Sequence, residues 1–128
     1  MNEQVYVSLD LETTGLDAQS DQIIEIGALK FRGDEVLETF HTLVNPHRRL
    51  PYRIQRLTGI TTAELEAAPS FSTVAPALVD FMSGHAIVGQ NVTFDLEFLQ
   101  ARGLTFTGSI YDVLDVANIL LPQLPDYS

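Results

Sequence analysis

Residues 5–15 read Val5-Tyr6-Val7-Ser8-Leu9-Asp10-Leu11-Glu12-Thr13-Thr14-Gly15. Val5, Val7, Leu9 and Leu11 are apolar, and Tyr6, Ser8, Asp10 and Glu12 fill the alternate positions. A period of two is the signature of a strand with one buried face. Asp10 and Glu12, two positions apart, therefore project from the same face. Gly15 turns the chain just beyond them, which leaves both carboxylates at the carboxyl end of the strand. Ligand sites in open α/β sheets gather at that end. Two acids held so close repel one another unless a cation lies between them. A hard, oxygen-liganded ion such as Mg²⁺ or Mn²⁺ suits such a pair and needs neither cysteine nor histidine. The same pair also reads as solvated surface, and taken alone that plainer reading is the stronger.

Two further strand-like runs follow, 22–31 and 36–44, with Arg32-Gly33-Asp34 between them as a tight hairpin turn. Three strands joined by short turns predict an antiparallel meander. Asn45-Pro46 closes the third strand. A short helix is expected from about Pro51 to Leu57, stopping at Gly59, and Thr61 with Glu64 has the spacing of a capping box. Phe71, Val74, Ala75, Leu78, Val79 and Met82 recur at helical spacing. Pro76 belongs near the first turn of that helix, which places its start near Ser72, and Gly84 ends it. His85–Gly89 reads as a short buried strand, 93–102 as a helix stopped by Gly103, and 109–111 as another short strand. Asp112 is expected to cap a helix whose Val113, Val116, Ala117 and Leu120 share a face. Three strands followed by helices alternating with single strands predict an α/β fold with a mixed sheet, and residues 1–128 read as one domain.

Composition sets limits on function. No long uncharged apolar run is present, so no membrane span is expected. The amino terminus enters a strand pattern without a secretory signal, and the absence of cysteine removes disulfides and thiolate metal sites. These features are compatible with the cytoplasm. The net charge of -10 is awkward for a module that holds nucleic acid by neutralising phosphates. Bound cations or a partner could offset it, and an ordinary acidic surface explains it equally well.

Asp95 falls in the first turn of its helix, where acids commonly complement the helix dipole. In combination, however, Asp10-Leu11-Glu12-Thr13-Thr14-Gly15 and Asn91-Val92-Thr93-Phe94-Asp95 form a composite signature. Ile24-Glu25-Ile26-Gly27, Leu57-Thr58-Gly59-Ile60-Thr61 and Asp112 extend it along nearly the whole chain. It resembles the DEDD superfamily of 3′→5′ exonucleases, in the DnaQ-like branch of the DNA polymerase III epsilon subunit. The resemblance implies a ribonuclease-H-like fold and a two-metal-ion mechanism using Mg²⁺ or Mn²⁺, with Asp10, Glu12 and Asp95 as catalytic metal ligands. It further implies that Thr13, Thr14, Leu57 and Asn91 contact the substrate. For these four the residues also allow plainer roles: turn hydroxyls, a core leucine and a helix N-cap. Glu25 is read as making a structural hydrogen bond, His41 as strand surface, and His47 as loop.

The branch carries a later histidine and aspartate that have no counterpart before Ser128, which suggests a chain truncated ahead of its last catalytic motif. Gln90 also stands where many relatives have histidine. The activity implied is removal of nucleoside monophosphates from single-stranded or frayed DNA 3′ ends in proofreading or repair, with a polymerase or helicase in cis or in trans. Two alternatives remain open: a non-catalytic binding or scaffold module of a replication or repair assembly, and an exonuclease acting on short RNA.

Overall fold

The computed structural model describes residues 4–112. Its elements run β1 (Tyr6–Thr13), β2 (Ile23–Arg32), β3 (Glu35–Leu43), α1 (Tyr52–Thr58), α2 (Thr62–Glu66), α3 (Phe71–Met82), β4 (Ala86–Gly89), α4 (Val92–Ala101) and β5 (Ile110–Asp112). The strands form one sheet in the order β3-β2-β1-β4-β5. The β1–β2 and β2–β3 pairs are antiparallel, and the β1–β4 and β4–β5 pairs are parallel. This is the meander followed by a mixed sheet that the periodicities predict. The helix expected after Asp112 lies outside the described residues.

Alternation along β1 does what its pattern requires. Val7, Leu9 and Leu11 are buried in the main core with α3 and α4 residues such as Leu78, Met82, Phe98 and Leu99. Asp10 and Glu12 on the other face are exposed. A smaller cluster of Ile24, Leu50, Ile54, Ile60 and Leu65 anchors α1 and α2 beside the start of β2. The helix stops are those the glycines announce. Gly59 is left-handed at φ 75° and closes α1, a conformation with no Cβ penalty for glycine. Thr61 and Glu64 form the full capping box at the start of α2.

Most boundaries fall within a residue of those expected, but the place of Pro76 differs. Helix α3 begins at Phe71 behind a Ser70 cap rather than near Ser72, so Pro76 lies in its second turn. Pro76 is on the solvent side, and the backbone bond it forfeits would have gone to the carbonyl of exposed Ser72, which water can satisfy.

The topology gathers the active elements at one end. β1 finishes there, β2 starts there, and β3, β4 and β5 also finish there, because β1, β3, β4 and β5 run one way and β2 the other. The loop of residues 14–22, α1 and the amino terminus of α4 all leave from that end.

Candidate active site

β4 pairs with β1 only across Tyr6–Ser8 and then turns away after Gly89. The turn is tight: a Cβ on Gly89 would stand 2.9 Å from the Leu9 carbonyl oxygen and 3.0 Å from the Val92 Cβ. Among the described residues, the β4 side of β1 thus has no strand partner beyond Ser8. Helix α4 fills the gap. It brings the Asp95 carboxylate close enough to the Leu11 backbone for the amide to favour its charged form.

Asp95 is only 5% exposed. Burial, the largest influence, and then the charge of Asp10 push its carboxyl up from 3.8 to about 7. The Leu11 amide pulls the other way and Glu12 adds a smaller push upward. Glu12 reaches solvent yet is also raised, by partial burial first and then by Asp10 and Glu25. Glu25 lies directly across the β1–β2 pair from Glu12. Its own carboxylate contacts His41 Nε2 at 2.6 Å, in keeping with the structural hydrogen bond expected of it. Acids from two distant segments therefore share one field of negative charge, and among the described residues no Lys or Arg pairs with Asp10, Glu12 or Asp95. Carboxyls raised by burial and by neighbouring acids cluster at functional sites.

All the donors are carboxylate oxygens, which fits a hard divalent cation. Among the described residues, no group of three acidic or histidine side chains is already drawn together around one point. Like-charged carboxylates repel one another unless a cation lies between them.

Helix α4 is fastened at both ends. The Val92 N–H donates to Asp112 Oδ2 at 3.1 Å, so the last residue of β5 caps it. Asn91 occupies the N-cap position but is left-handed at φ 54° and makes no capping bond with its side chain. At the other end the Arg102 guanidinium donates to the carbonyls of Phe98, Ala18 and Asp21, tying α4 to the loop that follows β1. Neither clamp was foreseen. The sequence marks Asp112 as the cap of a following helix, which lies outside the described residues, and no local signal marks Arg102.

The loop after β1 is self-bonded. Thr13 Oγ1 donates to the Gly15 carbonyl at 2.6 Å, and buried Thr14 donates to Asp21 Oδ1 at 3.2 Å while accepting from the Gln22 N–H at 2.9 Å. Gly15 packs directly on the Asp21 carboxylate. Both threonine hydroxyls are thus engaged in the turn. Leu57, by contrast, is 76% exposed at the end of α1 rather than part of the core. Asp10 and Glu12, on the open face of β1, both act electrostatically on Asp95 of α4, although among the described residues the three are not gathered around one point. Thr13 ends β1, Thr14 opens the adjoining loop, Asn91 precedes α4, and Leu57 lies near the end of α1.

A family model described as exonuclease (RNase T) matches residues 7–120. The PolC-type DNA polymerase III of Caldanaerobacter subterraneus subsp. tengcongensis is 36% identical over 129 residues, covering 98% of this chain and 9% of its own length. The DNA polymerase III subunit epsilon of Aquifex aeolicus is 35% identical over 128 residues, covering 96% of this chain and 63% of its own. The chain therefore spans less than a tenth of that PolC-type relative and under two thirds of that epsilon subunit. Among solved structures, exonuclease X in complex with 5′ overhanging duplex DNA superposes with a TM-score of 0.76 at 24% identity, over 96% of this chain and 68% of that one. Exonuclease I in complex with the inhibitor BCBP gives 0.79 at 21% identity, over 100% and 33%. These likenesses establish the ribonuclease-H-like fold. With the match running through both acid-bearing segments, the chain belongs to the RNase T exonuclease family.

Proposed function

We propose that this chain is a 3′→5′ exonuclease domain that removes nucleoside monophosphates from single-stranded or frayed DNA ends, in proofreading or repair. The observation that carries the proposal is buried Asp95, raised to about 7 beside Asp10 and Glu12. Asp95 and Glu12, both raised with the charge of Asp10 among the causes, have their natural complement in bound cations. Asp10, Glu12 and Asp95 would hold Mg²⁺ or Mn²⁺, two ions in the complete site. When bound, such ions neutralise charge building on the scissile phosphate and acidify an attacking water. The chain's own part is to fix the acids: β1 sets Asp10 and Glu12 on one face, and α4, clamped by Asp112 and Arg102, sets Asp95 opposite them. Thr13, Thr14, Asn91 and Leu57 border the place a terminal nucleotide would occupy. The names of the relatives support DNA as substrate and a polymerase as partner, joined in one chain or bound separately. They support a cytoplasmic setting as well. Among the described residues no helix is long and apolar enough to cross a membrane.

The test is incubation with 5′-labelled single-stranded DNA and Mn²⁺, beside Asp10→Ala and a chelated control. A ladder of shortened products, absent from both controls, is the expected result. An uncut substrate would defeat the catalytic reading and favour a non-catalytic binding module. The net charge of -10 is the observation on that side.

A further inference from the structure

The chain's cations are not spread evenly. Of its seven Lys and Arg residues, Arg48, Arg49, Arg53 and Arg56 fall on α1 and the loop before it, with His47 beside them. No Asp or Glu occurs anywhere from Thr39 to Ala63. All four arginines are exposed, and among the described residues none makes an ion pair. In a chain of net charge -10, unpaired positive charge concentrated in this way defines a local field of opposite sign to the rest of the surface.

The cluster is shaped as well as charged. A cavity of about 650 Å³ opens beside His47, Arg48 and Arg49, with Gln55 and Glu66 also on its wall. A second hollow of about 370 Å³ lies among Tyr52, Arg53, Arg56 and Leu57. Tyr52 and Leu57 are 73% and 76% exposed, and the Arg56 guanidinium sits 5.9 Å from the Tyr52 ring centre. An uncovered aromatic ring flanked by guanidinium groups is the pairing that binds a single strand: bases stack on the ring and phosphates meet the arginines. Arg48 also joins the cluster to the carboxylate end. Its Nη1 donates to the Ser20 carbonyl at 3.1 Å, in the loop that follows Asp10 and Glu12.

The geometry points to Arg48, Arg49, Arg53 and Arg56, with Tyr52, as the surface that grips the phosphate backbone of a single strand whose 3′ end lies at Asp10, Glu12 and Asp95. This rests on the exonuclease reading for its substrate, but the grip itself needs no metal. It also resolves the conflict posed by net charge: repulsion over most of the surface and attraction at one patch direct a strand to a single track.

The experiment is fluorescence anisotropy of a 5′-labelled oligothymidylate with the whole chain in chelator, over a series of salt concentrations. Wild type is expected to bind with a steep salt dependence. Arg53→Ala/Arg56→Ala and Arg48→Ala/Arg49→Ala are each expected to flatten the log–log slope by about 1.4, at roughly 0.7 per phosphate contact on a single strand. Tyr52→Ala is expected to weaken binding roughly tenfold while leaving the slope in place. Both double variants keeping the wild-type slope would overturn the proposal. So would polyglutamate of equal charge displacing the oligonucleotide as well as unlabelled oligothymidylate does, because the patch would then serve an acidic protein. Failure of cleavage with this binding intact would sink only the exonuclease reading. Cleavage with unchanged slopes would sink only this inference.

Discussion

Asp112, at the end of β5, caps the helix that begins at Val92, twenty residues earlier in the chain, by accepting the Val92 N–H at 3.1 Å. The helix it steadies carries Asp95. Through this bond β5 helps set the position of the helix that holds a buried acid. Replacing Asp112 by alanine is expected to cost about 1 kcal/mol, the usual worth of an N-cap. Asp112→Asn, which keeps an acceptor oxygen, should retain most of that stability. Urea denaturation of the two variants at pH 7 measures the difference, and equal losses would show that the cap contributes nothing.

Asp95 gives a pH dependence whose sign follows from its raised carboxyl. The folded chain keeps a proton on Asp95 up to about pH 7, whereas the unfolded chain releases it near 3.8. Between those limits the folded state binds more protons, so stability falls as pH rises and then levels off. In chelator the full effect is on the order of 4 kcal/mol at most. Asp95→Asn should flatten the slope between pH 4.5 and 8. Wild type and variant with parallel profiles would contradict the burial argument.

Added cation should act in the opposite sense. Because it binds only the folded site, Mn²⁺ is expected to raise the melting temperature at pH 8 and much less at pH 5, where Asp95 holds its proton. Thermal melts with and without Mn²⁺ at the two pH values provide the comparison. A shift of equal size at both would remove Asp95 from the metal site.

Asp10 is the second-largest cause of the elevation in Asp95. In Asp10→Asn, carbon-detected NMR titration should find the Asp95 carboxyl below about 7. An unchanged titration would mean that burial alone raises it.

Gly89 is where the chain leaves β4 for α4, and it has no room for a side chain. Gly89→Ala is expected to cost roughly 1–3 kcal/mol by overpacking against the Leu9 carbonyl and Val92. Metal-dependent cleavage should fall further than stability does, because α4 moves with the strain. A variant as stable and as active as wild type would show that the backbone there yields freely.

Much of this was legible in the sequence because it depends on local rules. The period of two in β1 placed Asp10 and Glu12 together, the Thr61–Glu64 spacing was a capping box, and Gly59 and Gly103 stopped their helices. What escaped was non-local. Nothing near Asp112 tells that its oxygen meets Val92, and nothing near Arg102 tells that it reaches back to the loop after β1. The burial of Asp95 depends on β4 turning away early, which periodicity does not encode. Leu57 allowed either a core or a substrate-lining reading, and a leucine before a turn is more often core; in the structure α1 buries Ile54 and leaves Leu57 exposed. The basic stretch was present in the sequence throughout, but the total charge concealed it.

The Gly33-Asp34 turn of the β2–β3 hairpin lies at the amino end of β1, across the full length of the sheet from the carboxylates. Its residues are exposed, and a Cβ on Gly33 would meet nothing within 4 Å. That makes the tip a natural handle. A fluorophore, a surface tether or a fused module could be attached there, so that single molecules could be immobilised with the carboxylate end facing the solution.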